Sequence, residues 1–140
     1  MAWKIHIDPD VNCIFVKHFD EYNTGDRRSV VKELLDHPDR RPGMNILIDS
    51  QETPLPKDMT FKYISKLRKT EIEGEDKELG PCRWATLVGD VFSYSKIHQF
   101  IITGRLSTTP VERKPFRDMQ EAKKWLGVPD DYEIKWPDGG

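Results

Sequence analysis

The stretch Met44-Asn45-Ile46-Leu47-Ile48-Asp49-Ser50 constrains the chain more than any other. Its three consecutive apolar residues, Ile46, Leu47 and Ile48, leave neither side of a strand for water. Turn residues Arg41-Pro42-Gly43 precede the run, and polar Asp49-Ser50 end it. A short apolar run bounded in this way reads as a strand buried on both faces. Such strands lie inside parallel sheets with helices on both sides. This segment is expected at the centre, and its neighbours as partners and covers.

Trp3 to Ile7 alternates apolar and polar residues, the pattern of a half-exposed edge strand. Asp8 to Asn12 is a turn, and Cys13 to Phe19 a second strand, hairpin-paired to the first. Thr24-Gly25-Asp26 offer caps for a helix carrying Val30, Val31, Leu34 and Leu35 on one face. That helix stops near Asp36-His37-Pro38, because the residue before a proline is pushed out of helical geometry. Thr53-Pro54-Leu55-Pro56 is a stiff loop, and a helix follows from about Lys57 to Lys69. Residues 70 to 80 are strongly acidic after a basic helix, and read either as solvated faces of a helix and its loop or as a mobile flap.

Arg83 to Val88 is the next strand. A helix from about Phe92 to Thr103 follows, with Gly104 placed to end it. Val111 to Phe116, interrupted by charges and Pro115, is an edge strand. Asp118 and Glu121 have the spacing of a capping box for a last helix, which buries Ala122, Trp125 and Leu126 and ends at Gly127. The tail, residues 128–140, carries Tyr132, Ile134 and Trp136 at alternate positions and either packs as a short strand or frays. The expected fold is one α/β domain over residues 1–140. Its five-stranded sheet is mostly parallel, with helices on both faces and the first strand antiparallel.

Composition removes several function classes. With 22 basic and 24 acidic residues there is no basic excess to draw nucleic acid. No apolar stretch approaches the roughly 18 residues of a membrane span, and the N-terminus lacks a secretory pattern, so a cytoplasmic protein is expected. Cys13 and Cys82 form no CxxC and read as free thiols. The four histidines show no metal-ligand spacing, and the common nucleotide and metalloprotease motifs are missing, so neither a cofactor nor a metal is expected.

In open parallel sheets ligands sit beyond the C-terminal ends of the strands. That rim holds the polar residues Asp20, Glu21, Asp49, Ser50, Glu52, Asp90 and Ser93. Asp90 and Ser93 read as turn and N-cap residues. His98, one turn inside the helix that begins near Ser93, is the general-base candidate if it faces the rim. Phe19, Tyr22, Leu55, Met59, Phe61, Val91, Phe92 and Tyr94 would line a pocket for an apolar ligand, or a patch for a partner. A carrier would enclose its pocket near Tyr63, Phe92, Tyr94 and Phe100.

The element order resembles the SpoIIAA-like family, of the STAS type of domain. The match rests on the strand ending in Ile48-Asp49, on Trp84-Ala85-Thr86-Leu87-Val88-Gly89-Asp90, and on the ending Phe116-Arg117-Asp118 … Glu121-Ala122 … Trp125-Leu126-Gly127. The resemblance implies a small bacterial cytoplasmic module that regulates or binds, as anti-sigma-factor antagonists do, rather than an enzyme. In such relatives a partner kinase phosphorylates a serine in an Asp-Ser-Ser-Gly-type segment after the corresponding strand. Here that segment reads Gln51 to Thr60, without the motif; Thr60 is the nearest hydroxyl on the early turn of the helix and Asp49-Ser50 looks similar at the strand end, so Ser50 and Thr60 are the candidate phosphorylation sites. Three functions follow in order: a regulatory or protein-interaction module, a carrier of a small apolar ligand or lipid, and a hydrolase. A homodimer through helix faces stays open.

Overall fold

The computed structural model describes residues 3–19, 26–103 and 109–137. Strands β1 (Trp3–Asp8) and β2 (Cys13–His18) form an antiparallel hairpin closed by a 3-10 turn, Pro9–Val11. Helix α1 (Asp26–Asp36) leads to β3 (Asn45–Asp49). A continuous helical run follows: α2 (Phe61–Leu67), a π segment (Arg68–Ile72) and α3 (Glu73–Leu79). Then come β4 (Cys82–Leu87), α4 (Val91–Thr103), β5 (Val111–Phe116) and α5 (Met119–Leu126).

The sheet order is β1-β2-β3-β4-β5, with β2 to β5 parallel. The apolar run is the middle strand, as its burial requires. Leu47 pairs with Phe15 on one side and Ala85 on the other. Alternation divides the core. Ile46 and Ile48 join Val30, Leu34 and Leu79 under α1 and α3. Leu47 joins Phe15, Ala85, Ala122 and Leu126 under α5. Because the parallel strands follow one another in order, right-handed crossovers put every crossover helix on the first of these faces. The second face is left to α5 and the chain after it.

Four local expectations need correction. The helix after the proline loop starts at Phe61, not Lys57, because Thr60 is extended and its Oγ1 accepts the Tyr63 amide at 3.2 Å. It does not stop at Lys69. The acidic stretch from Glu73 onward is helix, neither loop nor flap, since Ile72, Asp76 and Leu79 recur on one face and are buried. Asp118 occupies the N-cap of α5, yet its side chain makes no capping hydrogen bond, and Glu121 is exposed beside it. The tail is neither strand nor frayed through Trp136: Tyr132 stacks on Phe15 at 5.3 Å and its hydroxyl donates to Asp8 Oδ2 at 2.7 Å. Thr24, Gly25 and Gly104, expected as caps, lie outside the described residues.

Leu47 is fully buried between β2, β4 and α5. Leu47→Ala is expected to lower the unfolding free energy by about 3 kcal/mol, from lost transfer and cavity terms together. Urea denaturation measures it, and a loss below about 1 kcal/mol would contradict the central placement of β3.

Candidate ligand-binding site

The helices on the crowded face do not close over the C-terminal ends of the strands. They leave a cavity of about 190 Å³. Ile48 of β3, Trp84 and Thr86 of β4 and Val88 after it form its floor. Val30 and Val31 of α1 form one wall, and Ile97 and Phe100 of α4 another. Leu55, Met59 and Tyr63 lie towards the loop between β3 and α2.

The π segment has a visible consequence here. Its i→i+5 hydrogen bond, from the Glu73 amide to the Arg68 carbonyl, widens one turn. Leu67 and Ile72, five residues apart, would diverge on an α-helix; here both reach the cavity.

The rim is tied together by short polar links. Asp90 Oδ1 accepts the Ser93 amide at 2.9 Å at the start of α4. Ser93, fully buried, accepts the Leu55 amide on its Oγ at 3.0 Å, fastening the proline loop to α4. The Ser93 hydroxyl and amide hold the Asp90 carboxyl below the usual carboxylate range. The Ser50 amide donates to the Leu87 carbonyl at 2.8 Å. Gly89 lets the two loops meet, because a Cβ there would lie 2.9 Å from the Gln51 carbonyl oxygen.

Behind the wall stands α3. Arg113 forks onto Asp76, Nη1 to Oδ2 at 2.8 Å and Nη2 to Oδ1 at 2.6 Å. Thr109 Oγ1 donates to the same carboxylate at 2.5 Å. The guanidinium also lies over the Trp84 ring, 4.9 Å from its centroid. Arg27 of α1 pairs with Glu75, and with Glu71 at 3.6 Å. Burial pushes the Glu75 carboxyl up despite Arg27.

Most expected site residues gather near this rim, in unequal roles. Ser50 lines the cavity. Asp49 is buried, braces the loop by accepting the Gln51 amide at 3.1 Å, and does not line the cavity. Glu52 pairs with Lys17 at 3.1 Å in water. Thr60 is an exposed N-cap. Tyr94 and His98 stack on each other, 6.2 Å between ring centroids, and neither lines the cavity. They fall on a stripe of α4 next to the one formed by Ser93, Ile97 and Phe100. His98 is exposed, so the condition for a general base at the rim fails.

Of the residues expected around an enclosed pocket, Tyr63 and Phe100 line it, and Phe92 and Tyr94 do not. Phe19, Leu55 and Met59 line it as well, whereas Val91 is 62% exposed. Asp20, Glu21 and Tyr22 lie outside the described residues, as does the Phe61 side chain. His6 pairs across the hairpin with Phe15, and His18 with Trp3, so the two histidines do not face each other. No group of three metal-ligating side chains occurs among the described residues. Sequence reading missed Arg27, Trp84 and Arg113. The last two are register partners on β4 and β5, a signal that needs the strand pairing first.

A crystal structure of an uncharacterised protein of the DUF3478 family from Shewanella loihica PV-4, described as having a SpoIIAA-like fold, is similar to this chain. It is 19% identical, with a TM-score of 0.53, over 89% of this chain and 92% of that one. The likeness shows a SpoIIAA-like fold. No family model matches the chain, and no curated protein does.

Burial raises the Asp49 carboxyl above its ordinary value, with the Gln51 amide opposing. The folded state therefore holds this proton more tightly than the unfolded chain. The stability it contributes is full below the unfolded pKa and is lost as pH rises through the raised folded one. An asparagine side chain at this position can still accept the Gln51 amide without that loss. Asp49→Asn is expected to gain stability over the parent as pH rises from about 4 to 7, read from urea midpoints across pH. A constant difference across that range would contradict the assignment.

Proposed function

We propose that this chain is a binding module that takes one small, largely apolar molecule into the cavity at the C-terminal ends of its strands. The cavity carries the reading: its floor and walls are mostly apolar, and it lies at the C-terminal ends of the strands, the end at which open parallel sheets hold ligands. Its size is suitable, since an engineered apolar cavity of about 150 Å³ accepts benzene. By proportion, about 190 Å³ accepts about eight carbons.

The hydrolase alternative loses its motive with His98 off the wall. The regulatory role implied by the SpoIIAA-like resemblance is compatible with a ligand. Ser50 is a wall residue, so a phosphate there would bring charge to an apolar cavity and oppose filling. A protein partner that reads the filled and empty states would join the two readings.

A series of straight-chain alcohols tests the proposal by calorimetry. Each added methylene should tighten binding by up to about 0.8 kcal/mol while there is room. The gain should stop near about eight carbons, where the cavity is full. Ile97→Trp, which fills the space from α4, should abolish binding without loss of thermal stability. Absence of binding for every chain length, or a gain that continues well beyond the cavity's capacity, would contradict the proposal.

A further inference from the structure

The cavity wall carries three cationic side chains, Arg27, Lys96 and Arg113, and no aspartate or glutamate among the described residues. This runs against the chain as a whole, which has more acidic than basic residues. Two of the three are answered from the helical run behind the wall, Arg113 by Asp76 of α3, and Arg27 by Glu75 of α3 and Glu71 of the π segment. Lys96 is not: no carboxylate pairs with it among the described residues. Its ammonium has the Phe92 ring 5.7 Å away.

The position of Lys96 is also unusual. It stands three residues after Ser93 and four before Phe100, on the stripe of α4 that faces the cavity. An amphipathic helix places apolar residues on such a stripe. A second observation has the same sense. Among the described residues, the buried side-chain polar atom without a hydrogen-bond partner is a donor, Arg27 Nε, on the opposite wall. Among the described residues the wall thus has spare positive charge and a spare donor, and the carboxylates behind it are already paired.

We propose that the ligand is an amphipathic monoanion, with its carboxylate held at Lys96 and its apolar body in the cavity. One ammonium without a carboxylate partner among the described residues matches one negative charge, which favours a carboxylate over a doubly charged phosphate. The inference rests on the cavity reading above and adds the head group to it.

Octanoate and octan-1-ol share a chain length and differ in charge, so calorimetric titration of both separates the two claims. At about pH 8, where the carboxylate is ionised, octanoate should bind at least about tenfold tighter than the alcohol. Added salt should shrink that ratio. Lys96→Met keeps the stem and removes the charge. It should bring octanoate to the alcohol's affinity and leave the alcohol unchanged, while Lys96→Arg should retain the preference. Circular dichroism and melting confirm that each variant folds, and Lys96→Gln replaces Lys96→Met if it does not. Octanoate binding no tighter than octan-1-ol, or untouched by loss of the Lys96 charge, overturns the head group and leaves the apolar cavity standing. Failure of both probes overturns the cavity reading and the head group together.

Discussion

Four parallel strands in sequential order, joined by right-handed crossovers, must stack all their crossover helices on one side of the sheet. Most of this molecule follows from that constraint. Helices α1, α2–α3 and α4 share one face, and side chains from all of them and from the C-terminal ends of the strands line the cavity. The opposite face has a single helix, α5, too short to cover five strands. The chain after Gly127 completes it: Tyr132 stacks on Phe15, and Lys123 Nζ donates to the Tyr132 carbonyl at 2.8 Å.

The crowded face also explains why α3 is acidic. Two arginines reach the cavity wall from α1 and β5, and an uncompensated charge at such a depth is costly. Asp76 is almost fully buried and meets Arg113 through a two-point fork, with Thr109 taking part of the remaining acceptor capacity. A pair so enclosed repays its desolvation only with good geometry and satisfied hydrogen bonds. The acidic segment is thus less a solvent-facing flap than the counter-charge of the two arginines on the cavity wall.

The architecture was legible because it depends on patterns that survive without coordinates. Three apolar residues in a row identify the middle strand, and charges with Pro115 identify an edge strand. The acidic helix was not legible, because its charges mask the sparser spacing of Ile72, Asp76 and Leu79, and the π turn shifts the phase of whatever periodicity remains. The cavity was half legible. Phe19, Leu55, Met59, Tyr63 and Phe100 could be named as rim or pocket residues. Phe92 and Tyr94 could not be excluded, because that requires the rotation of α4 about its axis. Trp84 and Arg113 depend on the β4–β5 register, which no local pattern encodes.

A cavity that exists to be filled should leave the cell with its occupant. Native mass spectrometry of the protein, purified gently from the cell that makes it, tests this most directly. A population heavier than the polypeptide by the mass of one small organic acid is expected, which denaturation releases and organic solvent extracts. The bare polypeptide mass in every preparation, with nothing in the extract, would contradict it.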